Sequence, residues 1–230
     1  IMTAPTLELS RAQRLKERTR DTHQRLDTSI ITAASFDTVE AYARFAVVQY
    51  LFHRDIEALY QDKNLQALLP GLAQRCRLGL IAADLADLGQ SLPQADKAPA
   101  FPAGEAADVA TALGWLYVAE GSNMGAALLR KEAAKIGLSD THGARHLARP
   151  PEGPAAHWRT FTAALNDVDL SAVQEAHVVT GANAAFARVQ ALVDANREYP
   201  QGADFPKSLE PMPAPVAIAT QVNTLRVTNA

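Results

Sequence analysis

A chain of 230 residues, 48% of them hydrophobic, has room for one domain with an ample core and at most a short appendage. The net charge of −3 argues against nucleic acid as the main partner, and the lone Cys76 excludes an internal disulfide or a cysteine-based metal centre. Aromatic content of only 6%, beside abundant Ala and Leu, favours helices over a β-sandwich.

Residues 1–9 read as a lead-in. Ser10 is a suitable N-cap for a polar helix over about 10–27. Its neighbourhood is basic: Arg11, Arg14, Lys16, Arg18, Arg20 and Arg25 outnumber Glu8, Glu17 and Asp21. Such a surface suits carboxylates or an acidic protein partner, or is a solvated face laced with i,i+4 pairs. A second helix is predicted over 38–59 and a short one over 64–69, ended by Pro70-Gly71. Another covers 72–88 and stops at Gly89. Residues 90–104, with Pro93, Pro99 and Pro102, form a loop. A long apolar helix is predicted over 106–136, closed by Gly137 and kinked somewhere across 120–125. After a proline-rich loop at 149–154 come helices over 155–165 and 171–199. No strand pattern or repeat appears. The segment 200–230, broken by five prolines, reads as a tail. No apolar run of signal-peptide or membrane-span length occurs, so a cytoplasmic protein is expected.

Two features carry chemistry. His23 stands in the polar first helix, where an imidazole is either a solvated surface group or a metal ligand. Asp27, one turn on and on the same face, is either a surface charge or the carboxylate that orients that imidazole. Gly114, Gly121 and Gly125 interrupt the apolar helix, and each costs about 0.5–1 kcal/mol relative to Ala. They mark either close helix packing or a stretch of backbone bared to a flat ligand. His146 is expected to anchor a loop, Arg145 to pair with Glu120 or Glu132, and His157 and His177 to lie on the surface.

Four segments, TRDTHQRLD (19–27), QYLFHRDIEALY (49–60), LGWLYVAEGSNMGAA (113–127) and GARHLA (143–148), have the order and spacing of a known family. Over about residues 10–198 the chain resembles the bacterial heme oxygenases of the Gram-negative branch. The resemblance implies a single all-α domain over 10–199, flanked by the 1–9 lead-in and the 200–230 tail, with heme between a proximal and a kinked distal helix. It implies oxidative cleavage of heme by O2 and electrons to biliverdin, carbon monoxide and iron. His23 would be the iron ligand, with Asp27 behind it. Gly121 and Gly125 would bring distal backbone close to the heme, and Asn123 and Phe186 would contact it. Ser122 stands where some relatives have an Asp that orders distal water, so backbone carbonyls with His53 behind them would serve the proton delivery. His53 itself stands where more distant relatives have Tyr.

Lys16 and Tyr117 stand where the family grips the propionates. They resemble members that open the α-meso carbon, and the lysines of members with rotated heme are here Ile31 and Glu132. The implied product is therefore biliverdin IXα. The implied partners are a ferredoxin- or flavodoxin-type reductase (ascorbate in vitro) and a bacterial phytochrome as bilin acceptor, with no nucleic acid and no membrane. A non-enzymatic heme carrier or sensor would share His23 and the slot. A thiaminase-like enzyme needs a reactive cysteine, and Cys76, between Arg75 and Arg77, lacks the setting.

Overall fold

The computed structural model describes residues 8–33, 36–95 and 97–196, side chains of 28–33 excepted. The tail over 200–230, the predicted helix end at 197–199 and most of the lead-in lie outside the described residues. All regular structure in the described residues is helical, as expected.

Helix α1 (Arg11–Arg18) starts at Ser10, whose hydroxyl accepts from Gln13 N while the Gln13 side chain accepts from Ser10 N. The predicted continuous helix breaks at Thr19 and resumes as α2 (Arg20–Ala33). Thr19 is buried, and its hydroxyl donates back to Leu15 O at 2.7 Å, alongside its own N–H at 3.0 Å. This back-bonding competes with the helical ladder and turns the chain. Helix α3 (Val39–Gln61) is capped by Thr38, and α4 (Lys63–Leu68) by Asp62.

The helix expected over 72–88 is two pieces, a 3₁₀ turn (Leu72–Arg75) and α5 (Leu78–Asp87), because Cys76 is extended. The break sends Arg75 to Glu120 and Arg77 to the His146 carbonyl, contacts that sequence periodicity cannot register. The long apolar helix divides into α6 (Val109–Ser122), a 3₁₀ segment (Asn123–Gly125) and α7 (Ala126–Lys135). The kink thus overlaps its predicted place. Gly137, at φ 85°, follows α7 in the left-handed conformation. Helix α8 (Pro154–Asp167) opens on a proline at its first turn, and α9 (Ala172–Ala195) on a Ser171/Gln174 capping box.

The core is built around the crossing of α6 and α9, which meet backbone to backbone. A Cβ at Gly114 would lie 2.2 Å from Val178 O, and one at Gly181 would lie 2.3 Å from Thr111 O. Leu113, Leu116, Phe161, Leu165 and Val178 pack around it with exposure of 2% or less. Helix α1 is tied to this unit by buried Arg11, whose guanidinium donates to Leu165 O and Val168 O at the end of α8 and pairs with Glu175 of α9 at 2.7 Å. A smaller core of Tyr42, Phe45, Leu85 and Leu147 lies between α3, α5 and the 3₁₀ turn Arg145–Leu147.

Candidate active site

The first cluster forms where α2 meets α9. His23 is half exposed, and its Nε2 lies 3.4 Å from Asp27 Oδ2. The i,i+4 spacing therefore does place the two on one face. The Asp27 oxygen is buried with no hydrogen-bond partner among the described residues. Burial pushes the Asp27 carboxyl up, against the pull of His23. Phe186, buried on α9, stacks on the His23 ring with centroids 5.5 Å apart. Thr22 Oγ1 reaches Asn183 Oδ1 at 3.5 Å from the same side. Lys16 lies half-buried on α1, across the Thr19 break from His23.

The second cluster is the end of α6. Ser122 is exposed, and its hydroxyl donates to Ala119 O at 2.6 Å, so it is held by its own helix. A Cβ at Gly121 would meet only the Trp158 ring, at 3.5 and 3.8 Å. The half-buried Tyr117 ring lies 5.6 Å from Trp158. Asn123 turns its amide to Glu120 Oε2 at 3.5 Å.

Glu120 was given the wrong partner by sequence reasoning. Arg145 pairs with Asp87 at 2.7 Å and Glu132 with Lys135 at 2.8 Å. Glu120, only 2% exposed, instead accepts from Tyr60 OH and from Arg75 Nη1, each at 2.9 Å. Burial, and Glu120 beside it, push the Tyr60 hydroxyl well up. The expectation that His157 is a surface group also fails: it is largely buried between Glu152, at 2.6 Å, and Glu120, at 3.7 Å. A carboxylate inside an apolar helical run was the available signal, since such a group is buried only with partners.

A third group lies on α3. His53 is 4% exposed, and its Nδ1 has no partner among the described residues. Burial, helped by His146 and Arg77, pushes its pKa down to about 3, so the imidazole is neutral at physiological pH. His146 anchors its loop as expected: its Nδ1 lies 2.5 Å from Asp84 Oδ2, and the same carboxylate accepts from the Arg145 and His146 backbone N–H groups. Its Nε2, like Tyr42 OH, is buried with no partner among the described residues.

Helix α9 packs against both helices that carry these clusters, with Gly181 against Thr111 near the start of α6 and Asn183 and Phe186 against α2. The donor set suits a heme: one accessible imidazole, gripped by a ring and a carboxylate, and a helix end at 121 that internal packing does not require to be glycine. The side chain of Ile31 lies outside the described residues. Glu132, at 38% exposure, sits on α7.

Comparison with known proteins identifies the family and the fold. The heme oxygenase family profile matches residues 9–195. Heme oxygenase PigA of Pseudomonas aeruginosa is 43% identical over 186 residues, covering 80% of this chain and 91% of that protein. The heme oxygenase of Neisseria meningitidis, solved in NO- and CO-bound forms, matches with a TM-score of 0.77 at 36% identity, over 89% of this chain and all of that one. The heme oxygenase of Leptospira interrogans shares the fold, with a TM-score of 0.64 at 17% identity over 81% of this chain and all of that one.

Proposed function

The chain belongs to the heme oxygenase family, and on that premise we propose that His23 takes the heme iron while the 121–125 turn covers the opposite face. Bound heme supplies the iron at which O2 is activated and is itself the molecule cleaved, to biliverdin, carbon monoxide and iron. The protein's part is to hold, orient and protonate.

The His23–Asp27–Phe186 cluster carries the reading. A half-exposed imidazole, backed by a carboxylate oxygen that has no other partner, is arranged to be held by a ligand rather than by the protein. In the conformation described, Asp27 faces Nε2; a change of both χ1 and χ2 that turns Nδ1 to Asp27 would free Nε2 for the iron, and Asp27 would then fix the tautomer of the ligating imidazole. Phe186 limits the ring plane. On the other face, Gly121 and Gly125 would let backbone approach the heme closely, with no side chain of their own in between. Ser122, bonded to its own helix, leaves that space to water. His53, neutral, with a buried Nδ1 that has no partner among the described residues, would accept one hydrogen bond from such a water and pass a proton on.

Lys16 and Tyr117 grip the propionates. Charge-assisted contacts of this kind contribute about 1.5–3 kcal/mol when shielded, so two of them are enough to select one in-plane orientation of heme. The expected product is biliverdin IXα, suited to a bacterial phytochrome as acceptor. The exposed Arg18, Arg20 and Arg25 on α1 and α2 favour an acidic ferredoxin- or flavodoxin-type reductase as electron donor, in the cytoplasm.

Hemin titration tests the ligand. Wild type is expected to form a one-to-one complex with a histidine-ligated Soret band, and His23→Ala to lose that signature and most turnover. A His23→Ala variant with both intact would refute the assignment. Chromatography of the extracted bilins tests the propionate grip: IXα from wild type, and a mixture from Lys16→Asn/Tyr117→Phe with lysines introduced at 31 and 132. A wild-type product dominated by β or δ isomers would overturn both the grip and the phytochrome link.

A further inference from the structure

We propose that Glu120 is the positioning residue of the distal turn: with Tyr60, Arg75 and His157 it forms a buried polar clamp that fixes the 3₁₀ segment Asn123–Gly125. The inference rests on the reading that this turn faces heme, and it concerns how the turn is held.

Four parts of the molecule converge on the Glu120 carboxylate. Tyr60, from the end of α3, donates to Oε1 at 2.9 Å. Arg75, from the 3₁₀ turn after α4, donates to Oε2 at 2.9 Å and, through Nη2, to the His157 carbonyl at 2.9 Å. His157, in the first turn of α8, brings Nε2 to 3.7 Å from Oε2, and its Nδ1 is held by Glu152 at 2.6 Å. Asn123 reaches the same oxygen from within the 3₁₀ segment, at 3.5 Å. The Arg75 guanidinium also lies over the Phe161 ring, at 5.7 Å. Glu120 is the residue immediately before Gly121, so whatever holds it holds the entrance of the turn.

Stability alone does not account for this cluster. Burying an ion pair costs desolvation that its attraction barely offsets, and an apolar pair of similar volume commonly serves as well. A directional cluster does supply what a 3₁₀ segment lacks. Such segments have poorer hydrogen-bond geometry than an α-helix, and this one has Gly121 two residues before its start and Gly125 at its end. An external anchor at Glu120 keeps the backbone of 121–125 in one conformation, as a flexible Gly-rich turn left alone would not. Asn123, tied to Glu120, then acts on the turn rather than on heme.

The test uses Glu120→Gln and Tyr60→Phe, with Asp55→Asn as the control. Asp55 forms a comparably buried pair with Arg188, at 2.6 Å, which serves the 97–101 loop instead. Amide hydrogen exchange of the 121–126 stretch in heme-free protein is the first measurement. Losing one anchoring hydrogen bond is expected to speed exchange there roughly tenfold in both test variants and leave it unchanged in Asp55→Asn. Heme affinity should stay near wild type, while the fraction of consumed O2 recovered as biliverdin falls severalfold. The proposal is overturned if folded Glu120→Gln and Tyr60→Phe exchange like wild type at 121–126, or exchange faster with an unchanged biliverdin yield. Should Glu120→Gln not fold, Tyr60→Phe decides alone. The exchange measurement needs no heme, so it stands even if bulky replacements at Gly121 prove harmless and the reading of the turn as the distal face fails.

Discussion

At Gly114 the backbone of α9 occupies the place where a side chain would begin: an added Cβ would lie 2.2 Å from Val178 O and 2.5 Å from Ala182 N. At Gly121, two turns along the same helix, it would lie 3.5 Å from the edge of the Trp158 ring, an ordinary contact. The first glycine is required by the crossing of two helices, which shape alone enforces. The second is not required by anything the protein packs there. From Gly121 onward α6 is held by polar side chains, through Glu120, rather than by backbone contact. One half of the helix is therefore held by backbone contact and the other by directional polar contacts, and the proposed distal face lies on the second half.

The largest effect should come from Gly114→Ala or Gly181→Ala. Because the obstructing atoms are backbone, the helices must part, at an expected cost of about 3 kcal/mol or more. Thermal unfolding of heme-free protein should show a fall in Tm of roughly 6–12 °C for a domain of this size. A loss under about 1 kcal/mol would break the distinction between the two glycines.

The polar parts of the molecule should respond to acid, and the glycine crossing should not. His53 stays neutral in the folded chain down to about pH 3 because it is buried, while the unfolded chain takes up that proton near the usual 6.5. Its contribution is whole above pH 6.5 and is lost as pH falls from there towards 3, at about 1.4 kcal/mol per pH unit. Burial lowers His146 too, despite Asp84, which adds in the same direction. Between pH 6.5 and 5, wild type should lose about 2 kcal/mol through His53 alone, and His53→Leu should flatten that slope in urea titrations. The Gly114→Ala penalty should be the same at both pH values.

Gly121→Ala should change stability by less than about 1 kcal/mol, since a methyl group fits and Ala is the better helix former. Gly121→Leu must displace Trp158 or the turn, and heme should still bind while biliverdin yield drops. Full yield from Leu at both 121 and 125 would remove the functional half of the comparison. The smallest effect is expected from Ser122→Ala. Its hydroxyl is exposed and bonded to Ala119 O, so stability should stay within about 0.5 kcal/mol and turnover near wild type. A large loss of turnover would instead assign Ser122 a direct part in proton delivery.

Short-range signals determined much of this protein. Ser10, Thr38, Asp108 and Ser171 start helices because their side chains accept from amides three residues on, and Gly137 follows the end of α7 because it tolerates positive φ. The i,i+4 relation of His23 and Asp27 follows from helix geometry, and the wording around both pointed to the family. What the sequence could not show depends on partners far along the chain. Thr19 breaks a helix that looks continuous. Gly181 matters only because Thr111, 70 positions earlier, lies against it. Arg11 caps α8 from 154 residues away, and Glu120 finds Tyr60 and Arg75 rather than Arg145. Helix propensity and capping are decided within one or two turns of chain. The distance between crossing helices and the partner of a buried charge are decided by which surfaces meet, and only the folded chain brings those together.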